Sequence, residues 1–390
     1  MQDSPFTPLF TLPFALSSRP LCALSCRRSA RALPRLFLFV AVAMLVLAGA
    51  CHAAGGGPGP APAYGSAALL QGLWTPEQLA GTDADRIIGP TGEPDASFPV
   101  LAPGAAIPAR QPVPPAWQGA IRRIQPHRGR KLVAFTFDLC ERANNVAGYN
   151  NQLINFLRAN NAKATFFAGG KWMRSHPEAA LQLMADPRFE LGNHAWTHGN
   201  LALMTRAEIE SQLHLAEVQH ANLRAELSRR AEAKGLGAEL ARVPQGFSIM
   251  RLPYGRSSET ALNALAELGY LVIQWDVEGE RDDEVRTLDQ LTRSALAQVR
   301  PGSIILLHAN AVPLMSLPVL ERLLPALRAR GFELVTVSEL LRQGAPQAVR
   351  QGYFTIPGDN LKYDAIFPGK GTLKPDATRP FTTVPVPPAQ

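Results

Sequence analysis

The chain has 390 residues, 46% hydrophobic and 18% charged, with a formal net charge of +7, enough for one large domain with extensions or two modest ones. Residues 1–53 hold five Arg and one Asp, a net +4 of that charge, so the remainder carries only +3. A nucleic-acid partner inferred from basicity is therefore excluded.

In chain order, the first segment reads as an address. Arg27, Arg28, Arg31 and Arg35 precede the apolar run Leu36 to Leu47, and the small residues Ala48, Gly49 and Ala50 follow. That order describes a secretory signal spanning residues 1–53, cleaved between about residues 48 and 54. The run is short of the roughly 20 residues a membrane span needs. Lipid on Cys51 would give a membrane tether instead, although Ala48 stands where a lipoprotein signal normally has Leu. Cys22, Cys26 and Cys51 fall in or beside the leader, which leaves Cys140 as the one mature thiol and no internal disulfide. Residues 54–129 read as a Gly/Pro-rich linker and N-terminal arm, and residues 346–390 as an irregular, Pro-rich tail.

Between these ends apolar runs alternate with amphipathic stretches. Strands are expected at Leu132–Phe137, Ala164–Ala168, Phe189–Leu191, Ser248–Leu252, Leu271–Trp275, Ser303–Leu307 and Glu333–Val335. Helices are expected in Tyr149–Ala159, Pro177–Met184, Arg206–Ala233, Ser258–Leu268, Leu288–Val299, Pro318–Ala329 and Val337–Gln343. Thr205, with Glu208 three residues on, predicts a capping box for the third helix. Such alternation is that of an α/β chain with a parallel sheet, either a barrel over residues 130–345 or an open sheet.

The chemistry-bearing residues share one address. Asp138 ends the first strand, His194 and His198 the third, Arg251 with Pro253 and Tyr254 the fourth, Trp275 and Asp276 the fifth, and His308 the sixth. In a barrel these ends open on one face, where active sites are built. Singly, Asp138 reads as a helix cap, Arg251 as a surface ion pair and His308 as a core histidine; their joint placement argues for a site. Two imidazoles four residues apart converge on one metal if their segment is helical or tightly curled.

With these residues in place, the sequence resembles the NodB-type polysaccharide deacetylases. Phe135-Thr136-Phe137-Asp138 is similar to the family's T-F-D-D motif, His194 to His198 to its second motif, Arg251-Leu252-Pro253-Tyr254-Gly255 to its third, and Leu306-Leu307-His308 to its fifth. The resemblance implies a distorted (β/α) barrel of seven or eight parallel strands. It also implies a metal-dependent hydrolase, zinc being the expected ion, that removes acetyl groups from N-acetylglucosamine polymers. His194 and His198 would bind the metal, Asp138 would be the base with Arg251 orienting it, and His308 the acid. The Tyr254 backbone N–H would bind the oxyanion, and Trp196 and Pro253 would line the substrate.

The chain departs from that pattern at Leu139, which stands where the family has a ligating Asp. Cys140 and Glu141 follow, either within reach of a metal if the loop bends back, and Glu141 is the expected substitute ligand because of its longer acidic arm. Ala195 replaces a usual Ser or Thr, and Asp276 or Glu278 is expected to tune His308. The partner is an acetylated glycan of the cell envelope, met after export to the periplasm or envelope. The alternatives are a hydrolase of a non-sugar amide and an attenuated glycan-binding protein.

Overall fold

The computed structural model describes residues 64–91, 97–280, 286–368 and 382–383. The expected export segment, Cys51 and the linker at 54–63 lie outside the described residues. Among the described residues no helix is long and apolar enough to cross a membrane.

Seven strands close into a ring: β1 (Ala120–Pro126), β2 (Leu132–Leu139), β3 (Ala164–Ala168), β4 (Phe189–Asn193), β5 (Ile249–Met250), β6 (Leu271–Ile273) and β7 (Ser303–His308). They pair in the order β2-β3-β4-β5-β6-β1-β7 and back to β2. Every pairing is parallel except one antiparallel bridge between β7 and β1, Ser303 to Arg123. The result is the distorted (β/α) barrel that the resemblance implied, and not the open sheet that the alternation equally allowed.

Period-two alternation decides what each strand buries. Along β2, Val133, Phe135, Phe137 and Leu139 join the larger core beneath the helices, while Leu132 and Ala134 join the smaller core inside the barrel. Along β7, Ile305 and Leu307 face the helices, and Ile304 and Leu306 face inward. The inward series continue to Asp138 and His308, so the last inward position of each strand is a titratable group at the mouth. Leu153, Leu157, Leu213, Leu262, Leu265, Leu320 and Leu323 close the outer core from the surrounding helices. The long helix Arg206–Ala233 starts with the expected Thr205–Glu208 capping box.

Three expectations need correction. The barrel does not begin near residue 130, because Ala120–Pro126 supplies one of its seven strands. Glu333–Leu334 pairs with β2 but lies outside the ring. The C-terminal stretch is not irregular from residue 346: Gly344–Val349 pairs antiparallel with β1, and Lys362–Ile366 is helical. Short helices at Ala67–Leu73 and Pro76–Ala80 also order the expected arm.

His220, on the long helix, is buried against Phe247 with ring centroids 4.4 Å apart. Burial first, then the Arg224 charge, depresses its pKa to about 3. The folded value lies below the ordinary one, so this residue has no effect on stability above about pH 6.5 and costs stability as pH falls from there toward 3. Replacing His220 by Leu is expected to recover about 2 kcal/mol at pH 5 relative to pH 7, as measured by urea unfolding at the two pH values. An unchanged pH slope in the variant would refute the assignment.

Candidate active site

Arg251 organises the mouth from within. Its side chain is fully buried and stacks over the Phe167 ring at 4.2 Å. Nη1 donates to Asp138 Oδ1 at 2.8 Å, Nη2 to Thr136 Oγ1 at 2.8 Å, and Nε to the Ile273 carbonyl at 3.2 Å. One guanidinium thus ties β2, β5 and β6 together and fixes one oxygen of the Asp138 carboxylate. The other, Oδ2, lies 3.6 Å from His194 Nε2.

The histidine pair follows β4 on a tight curl, not a helix. Ala195 (φ 64°) and His198 (φ 56°) are both left-handed, a strained conformation for residues with a Cβ. The Ala195 N–H donates to Asn193 Oδ1, and Gln212 Oε1 accepts from the N–H groups of Trp196 and Thr197. These bonds hold the curl and bring the two imidazole centroids to 4.8 Å. His194 Nδ1 donates to the Arg251 carbonyl at 2.9 Å, which leaves Nε2 with its lone pair toward the mouth.

Cys140 meets that lone pair. Its Sγ lies 3.3 Å from His194 Nε2, and donor atoms of Cys140, His194 and His198 all lie within 4.8 Å of one another. Burial alone would raise the Cys140 thiol, yet the His198 and His194 imidazoles hold it well below the ordinary value. His194 is raised despite its burial, by Asp138 and Cys140, whereas burial lowers His198. One sulfur and two nitrogens form a donor set that fits a divalent ion accepting both.

Glu141, the expected ligand, is committed elsewhere. It is buried, accepts from Lys171 Nζ at 2.8 Å and from the Ala147 N–H at 3.0 Å, and is bonded by the Ser175 hydroxyl. The expected partner of His308 is also corrected. Asp276 accepts from Ser303 Oγ and the Ile304 N–H at 2.9 Å each, at the base of β7. The chain then runs parallel to β7 through Val277–Glu278 and brings Glu280 level with His308. Glu280 Oε1 and His308 Nδ1 are 2.8 Å apart, and Ser316 donates to the other carboxylate oxygen. Glu278 instead accepts from the Thr355 hydroxyl.

Across the mouth, donor atoms of Asp138, Cys140 and His308 lie within 4.8 Å of one another. A carboxylate and an imidazole therefore face a common small space, each backed by an opposite or complementary partner. Trp196 does not line that space: it is 2% exposed, and the Arg174 guanidinium lies over its ring. Pro253 is buried as well.

Tyr254 (φ 58°) does stand at the mouth, its ring edge-on to His198 at 4.4 Å and stacked on Phe367 at 4.3 Å. Tyr363 stacks on both. Asp364 holds this C-terminal segment down through a two-point ion pair with Arg256, and Asn360 donates to the Gly255 carbonyl at 2.9 Å. Gly255 is required by its own φ of 58° and because a Cβ there would meet the Trp275 ring at 2.9 Å. Glu280, Tyr363 and Phe367 are site residues the sequence reading passed over. Glu280 alone carried a signal, an acid two residues beyond Glu278.

A model of the polysaccharide deacetylase family matches residues 125–273. A chitooligosaccharide deacetylase from Azorhizobium caulinodans is 31% identical over 193 residues, covering 46% of this chain and 81% of that relative. One from Sinorhizobium fredii is 30% identical over 195 residues, covering 47% and 81%. A peptidoglycan-N-acetylglucosamine deacetylase from Bacillus cereus is 26% identical over 198 residues, covering 50% and 64%.

The buried pair gives a direct test of the geometry. Arg251→Met leaves the Asp138 carboxylate without its cation and is expected to cost about 3–5 kcal/mol in unfolding free energy. Asp138→Asn added to Arg251→Met is expected to restore a large part of that loss, because no unpaired buried charge then remains. Additive losses in denaturant titrations of the two single variants and the double variant would show that the pair is not coupled.

Proposed function

The chain belongs to the polysaccharide deacetylase family, and on that premise we propose that this mouth removes N-acetyl groups from N-acetylglucosamine units of an acetylated envelope glycan, peptidoglycan or a chitin-like polymer. The observation that carries the reading is the convergence, at the ends of β2, β4 and β7, of a base, a metal-type donor set and an acid. Cys140, His194 and His198 would hold the divalent ion, zinc by the chemistry of the donors. When bound, such an ion supplies Lewis acidity, lowering the pKa of water and polarising the acetamide carbonyl.

The protein's own groups account for the proton movements. Asp138 accepts a proton from the attacking water. Arg251 orients the carboxylate through its Nη1 bond to Oδ1. The backbone N–H of Tyr254 donates to the carbonyl oxygen as it gains negative charge. His308 then protonates the nitrogen that leaves, which is needed because an amide anion is a very poor leaving group. Glu280 on Nδ1 fixes the imidazole and stabilises its charged form, so that the opposite ring nitrogen is the one offered to substrate. The Arg251–Asp138 and Glu280–His308 pairs are what proton transfer needs and a glycan-binding surface does not. They favour catalysis over a purely binding role.

Export completes the reading. Residues 1–53 are the export segment, residues 54–119 an arm, and the substrate is reached in the periplasm or envelope, with the mature chain starting between about residues 48 and 54.

Asp138→Asn is expected to lower kcat by about 10²-fold or more with little change in substrate binding, since the carboxylate acts on the proton in flight. Acetate release from chitin oligomers and from peptidoglycan measures it, and retention of more than about a tenth of the rate would overturn the assignment. N-terminal sequencing of envelope-fraction protein should place the mature start near residues 48–54. An intact Met1 on cytoplasmic protein would refute export, and lipid on Cys51 would replace cleavage alone by anchoring.

A further inference from the structure

β2 carries its alternation past its own end. Leu139 is buried in the helix-facing core, whereas Asp138 and Cys140, two residues apart, both reach the mouth. The position where a carboxylate ligand is expected therefore points an alkyl chain into the outer core, and the next residue offers sulfur to the site.

The sulfur is held there by the backbone, independently of any bound ion. The Cys140 N–H donates to Asn310 Oδ1 at 2.8 Å, and Asn310 Nδ2 is anchored on the Gly148 carbonyl at 3.2 Å. On the other side, the Leu139 carbonyl accepts from the Gly169 N–H at 3.0 Å. Two protein ligands of one tetrahedral zinc stand about 3.5 Å apart, given bond lengths of about 2.3 Å to sulfur and 2.0–2.1 Å to nitrogen. Cys140 Sγ and His194 Nε2, at 3.3 Å, already match that edge. The competing carboxylates are engaged, Glu141 by Lys171 and Ser175, and Asp138 Oδ1 by Arg251.

We propose that Cys140 binds as a thiolate and is the third protein ligand, so that the site is a Cys-His-His centre selective for thiophilic ions such as zinc and cobalt over magnesium, calcium or manganese. The proposal rests on the metal-dependent deacetylase reading and adds that the sulfur binds as a thiolate and sets the discrimination between thiophilic and harder ions. Soft sulfur donors select zinc-like ions, and carboxylate oxygens the harder ones. Exchanging oxygen for sulfur at one ligand is enough to move that preference.

Cobalt(II) distinguishes the outcomes, because a thiolate bonded to it gives an intense near-ultraviolet charge-transfer band that imidazole and carboxylate ligands do not. Metal-stripped full-length protein titrated with cobalt(II) is expected to develop this band, and zinc is expected to displace it. Cys140→Ser should lose the band and bind zinc at least about tenfold more weakly, the minimum seen when even an outer partner of a metal ligand is removed. Cys140→Asp should also lack the band and narrow the preference for zinc over manganese by about tenfold or more. A measurement on the wild-type chain guards against misfolded variants: iodoacetamide should alkylate Cys140 in stripped protein and be blocked by zinc. Cobalt binding without the band, with zinc affinity within about twofold in Cys140→Ser and alkylation unaffected by zinc, would overturn the thiolate ligand and leave a metal on the histidines standing. Folded wild-type protein that binds neither ion would overturn both readings.

Discussion

A guanidinium buried at the centre of a barrel can persist only if every direction around it is answered, and the mouth of this molecule is built from those answers. Arg251 needs a carboxylate, a hydroxyl, carbonyls and an aromatic face, and receives them from Asp138, Thr136, Ile273, Gln274 and Phe167. Charges placed in such an interior are stabilised only by close geometry and complete hydrogen bonding. The pair therefore dictates where β2, β5 and β6 end relative to one another. Its backbone contributes too: the Arg251 carbonyl accepts a hydrogen bond from His194 Nδ1, so one residue aligns both the Asp138 carboxylate and the His194 ring.

The same economy governs the rest of the mouth. Left-handed backbone at Ala195, His198 and Tyr254 bends the chain where regular structure would carry it away. Strain of this kind costs about 1–3 kcal/mol per residue and persists only where surrounding bonds over-determine it. Here Asn193, Gln212 and Asn360 provide those bonds. Ala195 fits the curl because its small side chain is fully buried there.

Where the sequence was informative, the reason was burial on both faces or one clear period. Ala164–Ala168 and Ser303–Leu307 are apolar runs because both faces are covered, and both were legible as strands. Ala120–Pro126 was not, since Arg122, Arg123 and Gln125 interrupt it. Those charges are answered from far along the chain, Arg122 by the carbonyl of Phe354 and the ring of Tyr353. The carboxylate beside His308 was misplaced for a related reason. A short second run beside β7 shifts Glu280, not Asp276, to the height of the imidazole. Glu141 outranked Cys140 on arm length, but Lys171 and Ser175 had already claimed it. Such choices depend on neighbours 28 to 34 residues away, which no local pattern reports.

The C-terminal wall has a consequence for the order in which the molecule comes into being. The ring of strands is complete in sequence once His308 has been made, whereas Tyr363 and Phe367, which stack on Tyr254 beside His198, are synthesised only afterwards. Barrel closure and enclosure of the mouth are therefore separable events. A chain made only as far as His308 contains every strand of the ring, while the aromatic cover on one flank of the histidine pair is still to come. The ion pair of Asp364 with Arg256 holds the final segment over that flank, so the last-made part of the described chain completes the wall of the site.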